Sequence, residues 1–166
     1  MRFLLVLGLA VLLAAACVAL IQSRRAGTAL AGRVTYVIDG DTVVVRLGSA
    51  EPVHVRLIGI DTPEIAHFGK PGECFGLRAT RLTRRLALGR QVVLRPGRER
   101  HDRYGRLLAY VRVLGGPADL ERTLLTRGAA RTLAIPPNVD RAALYAGLEA
   151  AAQRAGRGMW GACRAP

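Results

Sequence analysis

Acids are scarce in this chain. Its 166 residues carry 12 Asp+Glu against 25 Lys+Arg, a formal net charge of +13. That balance points away from cationic partners and towards a polyanion, held through phosphate contacts and counterion release. Lysine is almost missing: Lys70 stands alone and arginine supplies the rest. Such a bias suggests a GC-rich genome that inflates arginine generally, so charge by itself does not establish nucleic-acid binding. Cysteine is equally sparse, with 3 residues in all. No two are paired at short spacing and no histidine cluster lies nearby, which excludes a cysteine-based zinc site. His54, His67 and His101 show no ligand spacing and read as surface or structural residues. There is no internal repeat, and the only low-complexity tract is the leader.

The leader is the one long hydrophobic run. Phe3 to Ile21 has no charge and no polar face, with Arg2 before it and Arg24-Arg25 after it. As a helix it would be roughly 28 Å long at about 1.5 Å per residue. One reading is a cleaved secretory signal, with Ala29-Leu30-Ala31 as a small-x-small site before Gly32. The other is an uncleaved anchor, because the run exceeds a usual signal core. Ala14-Ala15-Ala16-Cys17 also faintly resembles a lipoprotein cleavage site. All three place the rest of the chain outside the cytoplasm, secreted or anchored, touching a membrane only through residues 3–21 if uncleaved. The chain then divides into 1–26 as signal peptide or membrane anchor, 27–32 as linker and 33–163 as one domain. Outside the leader only Cys74 and Cys163 remain, an even number that fits export. They are read either as a disulfide tying the C-terminal tail to the domain or as two unpaired buried thiols.

Val34–Ile38, Thr42–Leu47 and Val53–Ile60 are β-branched or alternating runs that predict strands. Asp39-Gly40 makes a tight turn between the first two. Residues 65–74, with Gly69, Pro71 and Gly72, predict a loop. Phe75–Leu88 predicts an amphipathic helix, with Phe75, Ala79, Leu82 and Leu86 at helical spacing, arginines on other faces and Gly89 ending it. Gln91–Arg95 and Leu107–Leu114 predict two more strands. Asp119–Arg127 and about Val139–Ala155 predict two more helices. The expected class is α+β, mainly β: a five-stranded barrel similar to the OB-fold, with three helices packed against it.

Against this basic background the acids cluster. Asp39, Asp41, Asp61 and Glu64 lie close in sequence, with Arg56 among them and Arg106 further on. Asp41 and Asp61 are hard oxygen donors suited to Ca²⁺. Short turns join their strands, so both can lie at one end of the barrel. Glu64, just past Asp61, can act as general base on a water. Arg56 and Arg106 can hold a phosphate and offset the charge that builds on its oxygens. Each piece also has a plainer reading. Asp39-Gly40-Asp41 makes a good hairpin turn without a metal, Asp61-Thr62-Pro63-Glu64 fits a helix capping box, and Asp102 can simply stabilise a turn.

These segments resemble those of the staphylococcal nuclease (thermonuclease-like) family across nearly all of residues 33–160. The resemblance rests on Asp39-Gly40-Asp41-Thr42, Arg56-Leu57 with Asp61-Thr62-Pro63-Glu64, Asp102-Arg103-Tyr104-Gly105-Arg106, and Gly158-Met159-Trp160. It implies an OB-fold nuclease that uses Ca²⁺ to cleave DNA and RNA, single-stranded or frayed, and acts as a monomer. It implies Asp41, Asp61 and the Thr62 carbonyl as metal ligands, and Arg56, Glu64 and Arg106 as catalytic residues. Arg103 and Tyr104 resemble positions that contact a terminal phosphate and the nucleotide. Where the family carries substrate-stacking tyrosines, Arg131–Pro137 has no aromatic. The alternative is a non-catalytic nucleic-acid-binding module of the same fold at the cell envelope.

Overall fold

The computed structural model describes residues 28–67, 69–116 and 119–163. The apolar run at 3–21, and with it the reading of 1–26 as signal or anchor, lies outside them. Among the described residues no helix is long and apolar enough to cross a membrane.

Five strands close into a barrel in the order β1-β2-β3-β6-β5. They are β1 (Leu30–Val37), β2 (Thr42–Arg46), β3 (Val53–Leu57), β5 (Gln91–His101) and β6 (Leu107–Val113). Alternation writes the interior: Val43 and Val45, Val55 and Leu57, Val92 and Leu94, Ala109 and Val111 are all buried. Every pairing is antiparallel except β3 with β6. A parallel pair needs a long crossover, and the chain between β3 and β6 supplies one that carries α1 (Gly76–Ala87) and β5.

The helices cover the barrel. α1 buries Ala79, Leu82, Thr83 and Ala87. α2 (Leu120–Thr126) buries Leu120, Leu124 and Leu125. α3 (Ala142–Arg154) sinks Tyr145 completely, its ring edge-on to Tyr110 at 6.4 Å between centroids. A one-turn helix, α4 (Met159–Ala162), follows. The expected five-stranded barrel with three helices is therefore present, with this short fourth helix added.

Three local differences have physical causes. Residues 30–32, expected within a linker, belong to β1 and pair with β5, Leu30 opposite Leu94 and Gly32 opposite Val92. Smallness there reflects packing, since a Cβ on Gly32 would meet the Arg46 carbonyl at 2.6 Å. β5 runs six residues beyond its expected end, through Pro96. Pro96 lies opposite the chain before β1 begins, so it pairs on one side only, which a residue without an N–H tolerates. Finally, β4 (Ile60–Asp61) and β7 (Arg131–Thr132) form a separate two-stranded pair.

Candidate active site

The site forms where β2 begins, β3 ends and β6 begins. Register sets it: Thr42 lies opposite Arg56, and Val55 lies beside Leu107. The first pairing brings Asp41 next to Arg56, and the second brings Arg106 to the same rim. The Asp39–Asp41 turn is braced from behind, because the Thr83 hydroxyl of α1 donates to the Gly40 carbonyl at 2.6 Å.

Asp41 is the buried centre, only 3% exposed. Its Oδ1 faces Arg56 Nε at 3.1 Å and accepts from the Thr42 hydroxyl at 3.2 Å. Its Oδ2 accepts from the Thr62 amide at 2.7 Å and the Thr62 hydroxyl at 2.9 Å. Arg56 is fixed by every nitrogen. Nη2 reaches Asp61 Oδ1 at 2.9 Å, and Nη1 donates to the Leu57 and Ile60 carbonyls at 2.9 and 2.8 Å. A planar fork of five donors suits this multidentate role, and lysine could not fill it.

Arg106 enters from the other side. Its Nε donates to Asp102 Oδ2 at 2.7 Å, and its Nη1 reaches the Thr42 hydroxyl at 3.4 Å. Thr42 thus links the two arginines through Asp41. Asp102 Oδ1 accepts the Tyr104 and Arg106 amides, both at 3.0 Å. Partial desolvation of Asp102 acts upward, but the Arg106 side chain and these amides outweigh it and hold the carboxyl below its usual range. Tyr104 is exposed, flanked by the guanidiniums of Arg103 and Arg106 at 4.8 and 5.4 Å from its ring centre. Arg103 also donates to its hydroxyl at 2.7 Å.

Glu64 stands at the open edge, and among the described residues its carboxylate accepts no hydrogen bond. Its backbone is clamped. The Glu73 amide donates to its carbonyl at 2.9 Å, and its own amide donates to Glu73 Oε2 at 3.2 Å. The first residue of α1 presses on it so closely that a Cβ on Gly76 would lie 2.2 Å from the Glu64 carbonyl. A disulfide joins Cys74, two residues before α1, to Cys163 just after α4. Asp61-Thr62-Pro63-Glu64 opens no helix; residues 62–66 are loop.

Four carboxyls repel one another here. Burial, then Asp41, raises Asp61 despite Arg56. Burial, then Asp41 and Asp61, raises Glu64. Burial, then Asp41, pushes Asp39 up to about 6, even though its carboxylate accepts the Asp41 and Thr42 amides. Arg56, with Arg131 at Asp61 and His67 at Glu64, leaves this negative field incompletely offset, so the donor set fits a bound cation. Asp41 and Asp61 offer it carboxylate oxygens; among the described residues no three His, Cys, Asp or Glu side chains form a metal cluster. The Asp41 carboxylate already accepts three hydrogen bonds and faces Arg56, so ligation by Asp41 would compete with a present contact, the Thr42 one at 3.2 Å being the longest.

The structure thus gathers Asp41, Arg56, Asp61, Thr62 and Arg106 into one bonded network, with Glu64 coupled through charge and Arg103 and Tyr104 at its outer edge. Sequence reasoning missed three supports. Thr42 bridges the arginines, Glu73 braces Glu64, and Asp102 orients Arg106 where only a turn was expected. The spacing of Asp102 and Arg106 was the available signal for the last. His54, His67 and His101 are exposed, and His67 acts on Glu64 through charge.

Comparison with known proteins agrees with this geometry. The family model described as staphylococcal nuclease homologue matches residues 54–162. The chain is 35% identical over 127 residues to the thermonuclease of Staphylococcus intermedius, covering 76% of this chain and 74% of that protein. It is 32% identical over 141 residues to the thermonuclease of Staphylococcus hyicus, covering 82% of each. It is 36% identical over 120 residues to the protein named Probable endonuclease LCL3 of Arthroderma otae, covering 65% of this chain and 40% of that one. A closed barrel with an arginine–carboxylate rim, matched over most of its length to these relatives, belongs to the staphylococcal nuclease family.

Proposed function

We propose that this protein hydrolyses phosphodiester bonds of DNA and RNA in a Ca²⁺-dependent reaction, single-stranded or frayed segments being preferred. As a member of the staphylococcal nuclease family it is a hydrolytic nuclease. The observation that carries the finer reading is the bonded network Arg106–Thr42–Asp41–Arg56–Asp61, with an unbonded Glu64 carboxylate at its open edge.

Asp41, Asp61 and the Thr62 carbonyl would hold the cation. When bound, it supplies Lewis-acid polarisation of a phosphate oxygen and a template for the substrate. Glu64 takes a proton from water as the water oxygen bonds to phosphorus. The opposite ester bond breaks and its oxygen takes a proton from solvent. The raised proton affinity of Glu64, caused by partial burial and two neighbouring carboxylates, suits a base better than an ordinary surface glutamate does. Arg106, and the Arg56 Nη2 hydrogen not given to Asp61, would hold the phosphate and stabilise charge on its equatorial oxygens. Arg103 and Tyr104 would bind a terminal phosphate and the nucleotide beside it.

The Cys74–Cys163 disulfide supports action outside the cytoplasm, secreted or anchored. The test is degradation of heat-denatured DNA and RNA by the purified protein with Ca²⁺, Mg²⁺ or EGTA. We expect EGTA to abolish cleavage and Ca²⁺ to restore it; full activity in EGTA would remove the metal from the reading.

A further inference from the structure

A second cationic surface lies away from the catalytic rim. A groove of about 390 Å³ between α1 and the end of α2 is lined by Phe75, Arg78, Arg81, Leu82, Arg85 and Arg127. Arg78, Arg81 and Arg85 follow i, i+3, i+7 spacing and share one stripe of α1. Arg127 faces them from the C-terminal end of α2. All four are exposed.

The charge in this groove is uncompensated. The chain's 12 acids all lie among the described residues, and none forms a salt bridge with any of these four arginines. The neighbouring groove is an internal contrast. It shares Arg127 and is also lined by Asp119, Arg122, Thr123 and Thr126. There Asp119 sits 3.9 Å from Arg122 and 3.6 Å from Arg141. One groove carries its own counter-charge; the other leaves four guanidiniums facing a single concavity, where an anion would offset their repulsion.

We propose that this arginine groove is a second phosphate-binding surface that grips the nucleic-acid single strand leaving the active site. The inference rests on the nuclease reading above and adds a substrate footprint to it. Continuity favours a strand as occupant. The groove starts at Phe75, next to Gly76, whose backbone abuts the Glu64 carbonyl. Along α1 from that end, Arg78 is the first arginine of the stripe. From Arg78 to Arg85 the stripe runs about 10 Å along the helix. Its floor is apolar, and the Arg78 guanidinium lies 5.6 Å from the Phe75 ring centre. A flat anionic membrane surface would not need this concavity.

The test compares full-length wild type, Arg78→Gln/Arg81→Gln/Arg85→Gln, single Arg81→Gln, and Arg122→Gln as the control from the neighbouring groove. Each is assayed on a dinucleotide and on a single strand of about 20 nucleotides. The triple variant should raise KM for the long strand about tenfold and leave KM for the dinucleotide in place. It should also lower the salt slope of the long-strand KM by about 2, at about 0.7 for each phosphate no longer held. Arg122→Gln should match wild type. Should the triple variant fail to fold by circular dichroism, Arg81→Gln carries the test, with about a twofold rise expected. Equal changes on both substrates, or none, overturn the proposal. So does an unchanged long-strand KM in a variant that has lost binding to phosphatidylserine vesicles, which would assign the groove to lipid headgroups. If wild type cleaves neither substrate, the nuclease reading has failed separately. Fluorescence anisotropy of the intact long strand then decides the groove: about tenfold weaker binding by the triple variant upholds it, and equal binding overturns it.

Discussion

Asp41 at the barrel rim and Glu121 under α2 are both buried carboxyls, at 3% and 0% exposure. Their surroundings are opposite. Asp41 has three hydrogen-bond donors and an ion pair with a guanidinium. Among the described residues Glu121 accepts a bond from the Val111 amide at 2.7 Å, and its Oε2 has no partner. Burial pushes Glu121 up to about 8 even though backbone amides favour its charge, so it sits neutral in the packed interface. The rim collects donors and keeps charge available for chemistry. The α2 interface sheds charge so that helix and barrel can pack. Burial alone therefore does not set the surroundings of a buried carboxyl; the donors that converge on it do.

That contrast can be broken in several ways. Glu64→Gln should have the largest effect, lowering the cleavage rate about 10²- to 10⁴-fold as a general base is lost. Its melting temperature should stay near that of wild type; an unchanged rate would remove the base from Glu64. Arg56→Ala should damage both properties, since it strands Asp41 without its cation. We expect a loss of about 3–5 kcal/mol in denaturant unfolding, together with lost cleavage. A stable Arg56→Ala protein would show that Asp41 does not depend on its guanidinium.

Glu121→Gln should leave cleavage intact and change the pH dependence of stability. Glu121 holds a proton more tightly folded than unfolded, so its stabilising contribution is complete below the ordinary carboxylate range. It is lost as pH rises through about 8. Melting scans from pH 5 to 9 should show the wild type falling relative to the variant, by on the order of 4 kcal/mol for roughly three pH units of slope. Parallel curves would mean that Glu121 is charged throughout. Asp102→Asn should have the smallest effect. It weakens the hold on Arg106 by about 0.5–1.5 kcal/mol, readable as a three- to tenfold loss in kcat/KM with little change in stability.

Much of this was legible because the barrel is written in residues that alternate. Val43, Val45, Val55 and Leu57 announce their strands and their inward faces together. The rim was legible because its acids stand out against so few others. What escaped was pairwise geometry. Two-residue strands such as Ile60–Asp61 and Arg131–Thr132 carry no periodicity. The tolerance of Pro96 depends on where β1 begins, which β5 does not encode. The bridging role of Thr42 needs the register of β2 on β3, and the bracing role of Glu73 needs a loop to fold back. The aromatic-free stretch Arg131–Pro137 was visible from the start. Part of it has a different role in the fold, since Thr132 pairs with Ile60 beside the site and donates its amide to Glu149.

The bond between Cys74 and Cys163 spans 89 positions of sequence. A ribosome delivers residue 74 long before residue 163, so this covalent clasp beside the Glu64 loop can close only after nearly all of the described domain has been made. The hydrogen bonds between Glu64 and Glu73, by contrast, span nine positions. A chain cut short before Cys163 therefore lacks the clasp even with every rim residue present.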